Sequence, residues 1–170
     1  MSILDKNLSL NIDKTILHAE NLILQGCHGV AIFGSTGQAQ LISVSEKINL
    51  LNKLSKSKHK NNFLIGTGFN SLIETINFMK ISCSLNFKNF LIMPPAYYKY
   101  RDEDVISFYS KIVDTIPEAR IILYNFEKLS GYKFNDSHNE FSKKCVPLES
   151  LLEINTFLSF LIFVNTSLIF

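Results

Sequence analysis

The chain has 170 residues, a length suited to one domain, and 46% of them are hydrophobic against 19% charged. That mixture supports a buried core, and it is too charged for a multi-span membrane protein and too apolar for a disordered chain. The formal charge of +2 is spread over interspersed acids and bases, so no basic stripe for nucleic acid and no acidic tail is present. Cys27, Cys83 and Cys145 are odd in number and far apart, which fits neither a disulfide framework nor a CxxC metal knuckle and points to a reducing compartment. The start, Met1-Ser2-Ile3-Leu4-Asp5-Lys6, has no apolar stretch suited to a signal peptide. A cytoplasmic location is the expectation.

The predicted elements alternate from residue 11 to residue 126. A first helix over Asn11–Gln25 repeats Ile12, Ile16, Ala19 and Ile23 on one face, and Gly26 suits its stop. Gly29-Val30-Ala31-Ile32-Phe33 is a short apolar run, read as a strand buried on both faces and ended by Gly34-Ser35-Thr36-Gly37. Ser43 and Glu46 have the spacing of a reciprocal helix cap, and Ile48, Leu51 and Leu54 form the stripe of the helix that follows. A second strand, Phe63-Leu64-Ile65, runs into Gly66-Thr67-Gly68. Ser71 and Glu74 repeat the cap spacing for a third helix with Ile76 and Met79 inside. The third strand, Phe90-Leu91-Ile92-Met93, stops at Pro94-Pro95, which cannot continue a central ladder. A fourth helix from Asp102 buries Val105, Tyr109, Ile112 and Ile116 up to Pro117, and a fourth strand, Ile121-Ile122-Leu123-Tyr124, ends at Asn125.

Strand starts about 25–35 residues apart match βαβ units with a parallel sheet. A doubly wound sheet and a barrel share that rhythm, and periodicity does not separate them. After Phe134 the rhythm is lost. Residues 135–144 are polar, and no Lys or Arg follows Lys144. The apolar end, Phe157 to Val164, falls short of the about 20 residues a membrane span needs. Two segments are expected: 1–134 as the ordered α/β unit and 135–170 as a divergent or aberrant tail, with an apolar helix as its alternative.

Parallel strands present functional residues at their C-terminal edge. Here that edge collects Ser35, Thr36, Gly66-Thr67-Gly68, Tyr97, Tyr98, Tyr124 and Asn125. Hydroxyls and an amide suit binding a small carboxylate and relaying a proton, and they suit hydrolysis or metal chemistry poorly. The Gly-Ser-Thr-Gly turn can expose backbone amides to an anion, although a plain tight turn explains it as well. No Gly-Lys-Ser/Thr follows it, and Gly66-Thr67-Gly68 lacks the third glycine and acid of a dinucleotide fingerprint. His18, His28, His59 and His138 share no ligand spacing. Tyr97 and Tyr98 could equally pack at a subunit interface, Tyr124 could be a core residue, and Asn125 could cap a turn.

Taken in order and spacing, Gly34-Ser35-Thr36-Gly37 with Leu41, Ser43 and Glu46, then Ile65-Gly66-Thr67-Gly68, Pro94-Pro95-Ala96-Tyr97-Tyr98, and Leu123-Tyr124-Asn125 with Gly131 resemble one family. It is the dihydrodipicolinate synthase / N-acetylneuraminate lyase family of pyruvate-type class I aldolases, and the resemblance covers residues 4–134. It implies a (β/α)₈ barrel, here a partial one of about four βα units, commonly in a homotetramer. It also implies a lyase whose lysine forms a Schiff base with pyruvate or a related 2-oxo acid, with no cofactor and no metal. By the same resemblance Tyr124 relays protons at the imine carbon and Ser35 is its relay hydroxyl. Tyr98, with Tyr97 as the alternative, is the tyrosine lent to a neighbouring subunit, and the backbone amides of Ser35 and Thr36 hold the substrate carboxylate.

The chain departs from that family in specific places. The opening strand before Leu4-Asp5-Lys6 is absent, Gln38 replaces a Glu, and Glu127 replaces a Pro. The arginine used for a dicarboxylic substrate falls at Leu129, which argues against that substrate and for a sugar acid or similar hydroxy-oxo acid. The Schiff-base lysine belongs on the next strand, where the residues read Leu148-Glu149-Ser150-Leu151-Leu152-Glu153-Ile154, and the polar setting of Lys143 and Lys144 would not depress an ammonium pKa. A full barrel needs about 250 residues. The expectation is therefore a truncated family member, inactive as it stands. Its rivals are a non-catalytic subunit pairing with an intact paralogue and a membrane-tethered binding module.

Overall fold

A computed structural model describes residues 2–134. The expected tail over 135–170, with Cys145, His138, Lys143 and Lys144, lies outside the described residues. Four parallel strands form the sheet: β1 (Val30–Ile32), β2 (Phe63–Gly66), β3 (Asn89–Ile92) and β4 (Arg120–Leu123). Their helices are α1 (Ile12–Leu24), α2 (Val44–Leu54), α3 (Leu72–Ser84), α4 (Asp102–Thr115) and the single turn α5 (Glu127–Ser130).

Sheet order settles what periodicity left open. The strands lie in chain order, β1-β2-β3-β4, whereas a doubly wound sheet reverses direction at a switch point. Helices α1, α2, α3 and α4 contact one another in sequence as a single row. Val30, Ile32, Phe63, Ile65, Phe90, Ile92 and Ile121 point into that row and share one buried cluster with Leu50, Leu51, Phe78, Met79, Tyr109 and Ile112. Leu64 and Leu91 are also buried, yet they stand outside the cluster because alternate residues face the other side of the sheet. Helices cover one face and the strands follow in order. The fold is a partial (β/α)₈ barrel.

Local chemistry explains the element boundaries. The Asn11 side chain caps α1, and Gly26 (φ 105°) takes the chain past its end in a conformation that other residues rarely adopt. Ser43 and Glu46 form the expected reciprocal cap of α2. Glu46 also accepts from the Leu10 amide at 2.8 Å, so one carboxylate joins the N-terminal segment to α2. At α3 only half of the expected box forms: Ser71 Oγ accepts from the Glu74 amide, and no return bond from the Glu74 carboxylate completes it. Asp102, Glu103 and Asp104 place negative charge at the start of α4, where the helix dipole favours it.

Two further expectations need correction. The strands begin or end a residue or so away from the apolar runs, since Phe33 already turns to φ 62° and Asn89 and Arg120 join the ladder. The buried stripe of α2 is Lys47, Leu50, Leu51 and Leu54, with Ile48 only half-buried. A lysine therefore occupies a core position. Residues 3–11 add no strand to the sheet; they form a loop closed by an antiparallel bridge between Leu4 and Leu10. Among the described residues β1 and β4 each have one edge without a strand neighbour.

Candidate active site

The chain leaves β1 at Phe33 and enters a 3-10 turn over Ser35–Gly37, closed by the Gly37 amide on Gly34 O and the Gln38 amide on Ser35 O. Gln38 adopts φ 53° and starts a second 3-10 turn, Ala39–Leu41. On the far side of the sheet, the Tyr124 amide donates to Ile92 O at 2.8 Å and extends the ladder one residue past β4. The Ser35 Oγ and Tyr124 OH then lie 2.9 Å apart, 89 residues distant in sequence. In a flat sheet β1 and β4 would stand about 14 Å apart, three strand spacings. The contact requires the sheet to curl, and it places the hydroxyl pair over the concave face.

The loop after Tyr124 is tied down at several points. The Asn125 side chain accepts from the Phe134 amide at 3.3 Å, so this residue does close a turn. Gly131 (φ 70°) ends α5, and the Tyr132 hydroxyl donates to Asp102 at the start of α4 at 2.9 Å. Burial, followed by that bond to a carboxylate, pushes the Tyr132 phenol above its ordinary range. Tyr132 is thereby a fixed donor that locks the loop carrying Tyr124 to α4.

The β2 end supplies the middle of the rim. Thr67 is buried and its amide donates to Leu91 O at 3.3 Å. A Cβ at Gly66 would lie 2.3 Å from the Phe33 carbonyl oxygen, so only glycine permits this approach of the β1 and β2 ends. The Asn70 side chain accepts from the Ala96 amide at 2.9 Å and steadies the chain after Pro94-Pro95. Tyr97 and Tyr98 follow, 88% and 68% exposed, with rings packed edge-to-face at 5.0 Å. Tyr97 holds φ 84°, a costly conformation for a bulky residue. The structure brings Ser35 and Tyr124 together and leaves Tyr97 and Tyr98 projecting into solvent, where Tyr98 packs against Tyr97 and Tyr100.

Sequence reasoning missed Lys47. It is 1% exposed, its ammonium donates to Thr67 O at 2.9 Å, and it lies 3.9 Å from the Phe69 ring centroid. Burial lowers its pKa to about 8, against a smaller opposing pull from Glu74. A signal existed: residues 47, 50, 51 and 54 are the i, i+3, i+4, i+7 positions of one helix face. Among the described residues no group of three His, Cys, Asp or Glu is placed to hold a metal, and no helix is long and apolar enough to cross a membrane.

Residues 5–140 match the Dihydrodipicolinate synthetase family. The chain belongs to that family. It is 32% identical over 108 residues to an uncharacterized DapA-like lyase of Chloroflexus aurantiacus, covering 62% of this chain and 36% of that protein. With the 4-hydroxy-tetrahydrodipicolinate synthase of Lactobacillus acidophilus it shares 29% identity over 131 residues, covering 76% and 42%. Among solved structures, the dihydrodipicolinate synthase of Agrobacterium tumefaciens superposes with a TM-score of 0.79 at 21% identity over 86% of this chain and 53% of that one. A catalytic-lysine mutant of the Ruminococcus gnavus sialic acid aldolase gives 0.76 at 18% identity over 84% and 48%. These structural likenesses establish the shared fold, and this member of the Dihydrodipicolinate synthetase family spans half or less of the length of most of the relatives it matches.

Proposed function

We propose that the chain carries the proton-relay half of a Schiff-base carbon–carbon lyase or synthase site for pyruvate or another small 2-oxo acid, and that it does not turn over alone because the amine is lacking. The Ser35–Tyr124 contact supports this reading. Imine formation needs a hydroxyl that protonates the departing oxygen of the amine–ketone adduct, which leaves as water, and a second hydroxyl that restores the donated proton. Tyr124 takes the first role and Ser35 the second. The backbone amides of Ser35 and Thr36 receive the carboxylate, and Tyr98 reaches the relay of a neighbouring subunit. Leu129, exposed on α5 where the resemblance puts an arginine, favours a substrate with a single carboxylate of the sugar-acid type.

The test combines binding with trapping. Pyruvate should shift the amide resonances of Ser35 and Thr36 in the 170-residue chain, and Ser35→Ala with Tyr124→Phe should abolish the shift. Borohydride reduction in the presence of pyruvate should leave the mass unchanged. A covalent adduct on any lysine would refute the inactive reading, and absence of the amide shifts would refute the site. The second reading is a non-catalytic subunit that lends Tyr98 to an intact paralogue. The strained backbone of Tyr97 and the projecting pair favour it, and co-purification with a full-length barrel, lost on Tyr98→Ala, would identify it.

A further inference from the structure

We propose that Lys47 is a positioning residue for the rim: its buried ammonium, set among Phe33, Phe69 and Phe78 and bonded to the Thr67 carbonyl, fixes the β2–α3 turn against the loop that carries Ser35. The ammonium stands 5.7, 3.9 and 6.0 Å from the three ring centroids, within the range over which a cation is attracted by aromatic faces. A leucine would complete the α2 stripe without the cost of desolvating a charge. The lysine gains from its charged tip at those rings, at Thr67 O and, more weakly, from the field of Glu74.

That tip lies behind two rim loops. A Cβ on Gly68 would come within 2.9 Å of the Ala39 Cβ and 3.3 Å of Lys47 Nζ, and one on Gly66 would strike the Phe33 carbonyl. Phe33 and Ala39 are thus the points where the β1 loop touches the β2 turn, and Ser35 lies between them in the chain. Lys47 contacts the β1 side through Phe33 and the β2 side through Thr67. From α3 come Glu74, the charged group whose field reaches it, and the Phe78 ring, while the segments that follow β1 and β2 present Phe33, Phe69 and the Thr67 carbonyl. The inference rests on the proposed function only in treating this rim as the part that holds substrate.

Backbone amide spectra of the 170-residue chain test it without substrate, so its outcome is separate from that of the pyruvate experiment. The Thr67, Gly68, Gly37 and Gln38 amides should shift together with a midpoint near pH 8. Lys47→Arg, which keeps the cation, should remove that transition and keep hydrogen-exchange protection. Lys47→Met should speed exchange at Thr67, Gly37 and Gln38 by about tenfold, the scale of one lost hydrogen bond, while the α4 amides stay unchanged. Equal acceleration at all amides would show a merely structural residue and overturn the proposal. So would a rim that does not titrate in the native chain, a measurement that stands even if the variants fail to fold.

Discussion

A double-mutant cycle on Ser35 and Tyr124 tests the contact on which the site depends. Tyr124→Phe removes one hydroxyl and keeps the ring that packs 5.7 Å from Phe126, and Ser35→Ala removes the other. Both residues are half-buried, so water can replace part of what each partner loses. Either single change should cost about 0.5–1 kcal/mol, the lower part of the range for a hydrogen bond. A loss of that size lowers the melting temperature by a few degrees, about 2–8 °C per kcal/mol for domains of this scale. The double variant should lose less than the sum of the two, leaving a coupling energy of about 0.5–1 kcal/mol in urea unfolding followed by circular dichroism. Additivity within about 0.3 kcal/mol would mean that the hydroxyls do not meet. The curl of the sheet inferred from their contact would then be unsupported as well.

Gly66→Ala should destabilise the chain by about 3 kcal/mol, because the new methyl meets backbone rather than a movable side chain; unfolding midpoints in urea read this directly. Glu46→Gln should cost about 1–2 kcal/mol at pH 7, since the carboxylate accepts from Leu10 N and from Ser43. Those bonds hold its pKa below the ordinary value, so their contribution is complete above about pH 4.3 and is lost as pH falls through the folded value; native and variant stabilities should converge in acid. Lys47 has the opposite consequence at high pH. Between about 8 and 10.5 the unfolded chain keeps a proton that the folded chain has released, so stability relative to Lys47→Met should rise by up to about 3 kcal/mol across that window.

The alternation of helix and strand was legible because each apolar run is bounded by a cap, a glycine or a proline, as at Ser43, Gly26 and Pro94. The choice between barrel and doubly wound sheet was not, since both use the same βαβ unit and differ only in which side of the sheet the next strand joins. Spacing marked a rim of hydroxyls but did not pair Ser35 with Tyr124; the family resemblance pointed to both residues, and the curled sheet supplies the contact. Lys47 escaped because a charged residue at a stripe position is ordinarily assigned to solvent. Its partners, a backbone carbonyl and three rings from different elements, have no signature in α2 itself. The same holds at α3, where Glu74 fits the cap pattern while its carboxylate does not close the box.

For the proposed imine chemistry, the geometry of the sheet constrains where an amine would stand. Leu91 and Ile122 are in register on the face away from the helices, and Gly66 is in register with Leu91. With a period of two, Tyr124 continues the side of Ile122. A strand added in parallel to the edge of β4 that has no strand neighbour among the described residues would lie about 4.8 Å away. A lysine on it in register with Ile122 would rise from the concave face below the Tyr124 hydroxyl, whereas a shift of one residue would send it among the helices. Lys47 occupies that helix side, packed among Phe33, Phe69 and Phe78, and its ammonium points at the Thr67 carbonyl. Its lowered pKa therefore does not make it a nucleophile beside Tyr124. On the proposed function, the amine that pairs with Tyr124 would sit at a concave-facing position on a strand laid parallel against β4.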